Sequence, residues 1–215
     1  MKHFFLRLLT LMIGLAFFAL GIVVTIRANI GYAPWDVFHV GLSKTTGLSI
    51  GVISILVGLA LAIIVMILGE KLGLGTVANI VLIGIFIDIL FPLIPIAGNP
   101  VIGTLMLISG LFLISVGSYF YIKSSFGAGP RDSLMVTLAR KTKFPVGFCR
   151  GVIELCATVG GWFLGGMVGF GTVLFVIGIG FCIQITFKFF RFDVTAVRHE
   201  TLRDTYFTIK NFRST

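Results

Sequence analysis

Six runs of apolar residues separated by short polar segments dominate the chain, at roughly 4–26, 50–68, 75–91, 101–122, 146–167 and 170–187. A helix needs about 20 mostly apolar residues to cross the hydrocarbon core of a bilayer. Backbone groups in lipid must also find their hydrogen bonds within their own segment. Each run therefore predicts a transmembrane helix, and 75–91 and 170–187, being short, must extend into their flanks. Two further stretches, 35–46 and 131–142, predict helices of about a dozen residues, too short to span. Trp35, Phe38 and Leu42 share a face in the first, and Leu134, Met135 and Leu138 in the second.

The pattern repeats. With residues 17–91 set against those 96 positions later, more than a quarter of the pairs are identical, well above what so Gly-, Leu-, Ile- and Phe-rich a composition gives by accident. The matches fall on punctuation: Gly31 with Gly127, Pro34 with Pro130, Asp36 with Asp132, and Gly73-x-Gly75-Thr76-Val77 with Gly169-x-Gly171-Thr172-Val173. Each copy holds three spans, an odd number, so the second must enter the membrane from the opposite side. The expected fold is an all-α membrane protein of six transmembrane helices in two inverted-topology three-helix repeats, each with a short interfacial or re-entrant helix after its first span. The membrane domain covers 1–191, with repeats at about 4–93 and 100–191, and a basic cytoplasmic tail covers 192–215. The first run resembles a signal peptide, but its partner deep in the chain marks it as a retained helix.

Composition agrees with lipid as the solvent. The 215 residues are 57% hydrophobic and 12% charged, with a mean hydropathy of +1.10; soluble domains carry about 25% charged residues. The net charge of +9 does not point to nucleic acid, because the basic residues lie between and after the apolar runs. With the N-terminus inside, 14 of the 17 Lys and Arg residues fall in cytoplasmic segments, Arg27 and Lys44 fall outside, and Arg150 lies within the fifth run. The positive-inside rule then puts both termini in the cytoplasm. Cys149, Cys156 and Cys182 form no CxxC pair and His3, His39 and His199 are scattered, so packing or surface roles are expected for all six, with no cofactor or metal.

The candidate chemistry lies in two loops, Gly31-Tyr32-Ala33-Pro34-Trp35-Asp36 and Gly127-Ala128-Gly129-Pro130-Arg131-Asp132. Glycine permits a sharp turn, and Pro ahead of a helical run reads as a helix start. Either the short helices lie in the interface, with Asp36 and Asp132 as first-turn acids, or they are half-helices whose N-termini point into a buried cavity. The interfacial reading is preferred. The string Pro34-Trp35-Asp36-Val37-Phe38-His39, with Gly41-Leu42, resembles the YczE-like group of bacterial integral membrane proteins, often grouped with YyaS and YitT. The resemblance covers essentially the whole membrane domain and implies a bacterial inner-membrane location, without site residues to carry over. That group often has Gly before the Pro; here Ala33 stands there in the first copy and Gly129 in the second.

Ionisable residues within spans are costly and are functional candidates. Arg150 and Glu154 lie four apart on one helix face, and their repeat partners are Ser54 and Gly58, so the pair breaks the symmetry. Asp88 lies near the outer end of the third run, matched by Gln184. Arg131, Arg150 and Glu154 are expected on a cytoplasm-facing vestibule, with Trp35, Asp36 and Asp88 on the outer side. Inverted repeats underlie many secondary transporters, so transport of a small polar or anionic solute is the leading expectation, with the lipid bilayer as the other partner. The alternative is a non-catalytic accessory or scaffold protein that contacts a membrane-associated partner through the tail, which carries Tyr206, Phe207 and Phe212. An enzyme is not expected, because HExxH is absent and no span carries an Asp or Glu close to a His or Ser in a convincing catalytic spacing.

Overall fold

The computed structural model describes residues 2–193, 197 and 200–213. His199 and the side chains of Tyr206 and Phe212 lie outside the described residues. Each apolar run becomes a helix: α1 Lys2–Arg27, α3 Ile50–Ile67, α4 Leu74–Leu90, α5 Pro100–Lys123, α7 Val146–Phe163 and α8 Phe170–Phe189. The short stretches become α2, Pro34–Thr46, and α6, Pro130–Thr142, and the tail contributes α9, Leu202–Arg213. No strand occurs among the described residues. Among the described residues five helices are long and apolar enough to cross a membrane, and α4, at 17 residues, is an apolar helix just short of that length.

Local chemistry sets the helix ends. Pro34 and Pro130 open α2 and α6 from the first-turn position, where no backbone N–H is needed. Ser49 and Asn99 cap α3 and α5 by accepting the N–H of Val52 (3.2 Å) and Ile102 (2.9 Å). Thr76 and Thr172 each reach back to the N–H of the glycine three residues earlier, Gly73 and Gly169, at 3.2 Å. Eight of the nine positive-φ residues among the described residues form four pairs spaced 96 apart: Asn29 and Ser125, Gly31 and Gly127, Gly47 and Lys143, Gly69 and Gly165. The repeat is thus written in backbone conformation as well as in residue identity.

Helices α1 and α5 make the central contact. Lipid tails are as apolar as leucine, so association in a bilayer relies on close packing of small residues. A Cβ on Gly21 would lie 2.8 Å from the Gly110 carbonyl oxygen and the Ile114 nitrogen, and one on Gly117 would lie 2.5 Å from the Phe18 nitrogen and 2.8 Å from the Gly14 oxygen. These two contacts are the same contact shifted by 96. Burial follows centrality, at 50% of the most apolar window of α1 against 17% for α7.

The halves interlock. Helix α2 leans on α7 and α6 on α3; the Gly75 N–H donates to the Phe126 carbonyl and the Gly171 N–H to the Ile30 carbonyl, both at 2.7 Å. The tail is bonded into the same end as the α1 start: Glu200 N–H donates to Ser125 O and Leu202 N–H to Leu72 O, both at 2.9 Å, and Arg7 pairs with the Glu200 carboxylate at 2.6 Å. Arg140 of α6 also forms an ion pair with Glu70 in the α3–α4 turn.

One seam breaks the symmetry. Gly51 and Gly84 bring α3 and α4 into backbone contact: a Cβ on Gly84 would sit 2.5 Å from the Gly51 oxygen, and one on Gly51 would overlap the Gly84 oxygen. Asp88 latches this seam, accepting from Ser49 Oγ (2.5 Å) and from the Gly51 N–H (2.8 Å). The matching positions Gly147 and Gly180 have no atom within 4 Å of where a Cβ would stand. Pro145 and Gln184 replace Ser49 and Asp88 there, and α7 and α8 share no comparable seam. Gly51→Leu should overpack the closed seam and destabilise the fold by about 1–3 kcal/mol, read as a lower melting temperature in detergent.

Candidate functional site

The N-termini of α2 and α6 meet at a cavity of about 300 Å³. Each helix starts at a proline with no side-chain cap, so its first-turn N–H groups give that end a partial positive charge. Pro34, Trp35, Asp36, Pro130, Arg131 and Asp132 all line the cavity, and so do Arg150 and Glu154 from α7. The rest of the wall is mostly apolar, from α1, α4, α5 and α8.

Arg131 is the centre of the charge arrangement. Its guanidinium stands 4.9 Å above the Trp35 ring, a cation–π distance, and donates to His39 Nε2 at 3.4 Å. A guanidinium can only donate, so Nε2 accepts and the ring proton sits on Nδ1, 3.9 Å from Asp36 Oδ1. Asp36 and His39 are 3% and 1% exposed. Arg150 and Glu154 pair along α7 at 2.8 Å, as their spacing predicts. Two buried donors at the cavity have no hydrogen-bond partner, Trp35 Nε1 and the Tyr121 hydroxyl.

Eight of the nine candidate residues are therefore brought together, and Asp88 is apart, in the α3–α4 latch. Trp35 and Asp36 do not stand on an opposite side from Arg131; the three are in one cluster, because the two loops converge. Sequence reasoning passed over His39, Tyr121 and Asn79. The Asp36–His39 spacing of three was the available signal for His39, since it puts both on one helical face. Tyr121 and Asn79 carried no signal, because only packing brings α4 and α5 to the start of α6.

Residues 5–188 match DUF6198, a family of unknown function. The chain belongs to this family. It is 36% identical to YczE of Bacillus subtilis, an uncharacterized membrane protein, over 80% of this chain and 81% of YczE. It is 31% identical to an uncharacterized protein of Haemophilus influenzae, over 81% of this chain and 80% of that one. It is 33% identical to YyaS of Bacillus subtilis, over 76% and 84%. The resemblance carried by the Pro34–His39 string is thus borne out for YczE and YyaS. No solved structure matches.

Proposed function

We propose that this protein is a transporter of a small polar solute in a bacterial cytoplasmic membrane, without enzymatic activity. Six helices cross the bilayer as two inverted repeats, both termini are cytoplasmic, and α2 and α6 are re-entrant half-helices around a shared site. The observation that carries this reading is the unequal seam. Gly51 and Gly84 are closed and latched, while Gly147 and Gly180 stand open. In an inverted pair these seams lie at opposite faces, so the arrangement has the form of one state of an alternating-access cycle, closed outside and open inside. Burial of Asp36, Val37 and His39 on α2 supports the re-entrant reading over the interfacial one, since an interfacial helix keeps its polar face in water. The paired Gly75–Phe126 and Gly171–Ile30 bonds support the repeat.

The accessory reading gains less. The tail contact it relies on is bonded into the body through Glu200 and Leu202, although the exposed Phe207 remains.

Labelling tests the proposal. In a variant lacking the three native cysteines, Ala33→Cys lines the cavity. It should react with a membrane-impermeant thiol reagent from the cytoplasmic face about tenfold faster than from outside, a closed-seam preference of roughly 1.4 kcal/mol. Adding Asp88→Ala should raise the outside rate. Equal rates from both faces in the parent, or a latch variant that changes nothing, would remove the transport reading.

A further inference from the structure

The two half-helix ends are unequal in what they offer a ligand. A Cβ placed on Gly129 would lie 3.3 Å from Asp132 Oδ2, 3.8 Å from the Tyr121 hydroxyl oxygen and 3.9 Å from Asn79 Nδ2. Those three polar groups thus surround the start of α6, and the missing side chain leaves room beside them. Tyr121 is 4% exposed, and its hydroxyl has no hydrogen-bond partner. An unpaired buried hydroxyl is costly, and a ligand atom would satisfy it. At the α2 end the corresponding positions are Ala33, Thr25 and Phe175. A methyl fills the space of the glycine, the Thr25 hydroxyl is already bonded to the Ile22 carbonyl at 2.8 Å, and a phenyl ring replaces the amide. At these three positions the α6 end keeps open space beside polar groups, and the α2 end does not.

Charge narrows the class further. The cavity is lined by two guanidinium groups, Arg131 and Arg150, against three carboxyl groups, Asp36, Asp132 and Glu154. Arg150 and Glu154 pair with each other, and both signs of charge stand on the wall. A charged head of either sign would therefore stand near groups of its own sign, whereas an uncharged head would not.

We propose that the cavity binds a small amphipathic solute by an uncharged, amide-like head at the N-terminus of α6. Its carbonyl oxygen accepts from Tyr121 and Asn79, and its apolar body lies along the isoleucines of α4 and α8. A cavity of this volume, apolar with a few polar groups at one end, suits such a molecule. The inference deepens the transport reading and rests on the same cavity.

The test uses three probes that differ only in their head group: 3-phenylpropanamide, 3-phenylpropanoate and 3-phenylpropylamine, titrated calorimetrically into the purified full chain in detergent. The amide should bind about tenfold tighter than the acid or the amine, and Tyr121→Phe should weaken it about tenfold. Gly129→Ala should weaken it as well by filling the space. The unliganded Tyr121→Phe protein should melt no lower than the parent, because the hydroxyl it loses is unpaired. Absence of amide binding, tighter binding of either charged probe, unchanged affinity in Tyr121→Phe, or a lowered melting temperature for that variant each overturns the assignment. Amide binding without flux would remove transport alone, and flux of other solutes with no amide binding would remove this assignment alone.

Discussion

Gly147→Leu should leave the protein folded and stop flux. No atom of the described residues lies within 4 Å of where a Cβ would stand at Gly147, and the position is exposed, so the melting temperature should stay within about 2 °C of the parent, the shift expected for a change of a few tenths of a kcal/mol. If the two seams close in alternation, as proposed, Gly147 must in the opposite state approach Gly180 as closely as Gly51 approaches Gly84 here. That approach leaves no room for a Cβ, let alone an isobutyl group. Uptake into proteoliposomes should fall by at least about tenfold, the effect of blocking a state by more than roughly 1.4 kcal/mol. An inert scaffold gives the contrary result, since a side chain in open space has no function to lose. Undiminished uptake by this variant would falsify alternating closure of the two seams.

Arg131→Ala should cost about 3 kcal/mol of stability, because the partly buried guanidinium offsets the charge of the buried Asp36 carboxylate and its removal leaves that carboxylate uncompensated. Asp36, nearly fully buried, then keeps no guanidinium beside it, and His39 loses its bond from Arg131. Arg131→Lys keeps the charge but loses the planar fork and the stacking on Trp35, so its loss should be smaller. The double variant Arg131→Ala with Asp36→Asn should recover part of the deficit, since it removes the stranded charge. Thermal melts in detergent read all three. A single variant as stable as the parent would mean that the guanidinium balances nothing.

Helix positions were legible to within a few residues. The physics is local: apolar length sets α1, α3, α5, α7 and α8, and Pro34 and Pro130 fix where α2 and α6 begin. The correspondence at a spacing of 96 was equally legible, because the turn residues must supply the same backbone angles twice. The site was only half legible. Pro34–Asp36 and Pro130–Asp132 announced themselves as loop motifs, and Arg150 with Glu154 as charges in an apolar run. Asp88 carried the same signal and serves differently, because a carboxylate at a helix end can bond a neighbouring helix start as well as a ligand. Tyr121 and Asn79 sit in ordinary helical surroundings, and their meeting at Gly129 depends on contacts between segments far apart in sequence. The unequal seams were legible only in part: Gly51 and Gly147 are the same residue, and only the exchange of Ser49 and Asp88 for Pro145 and Gln184 marks the seams as different.

The crossed Gly75–Phe126 and Gly171–Ile30 bonds also bear on how the chain is made. As it leaves the ribosome, the first four helices hold a turn at Ile30 whose carbonyl gains its partner only after Gly171 has been synthesised. Helix α4 likewise waits for Phe126, and α2 for α7. Neither half is a self-sufficient folding unit. Two fragments produced by a cut within residues 92–99 should each be degraded when expressed singly and should accumulate as a complex when expressed together.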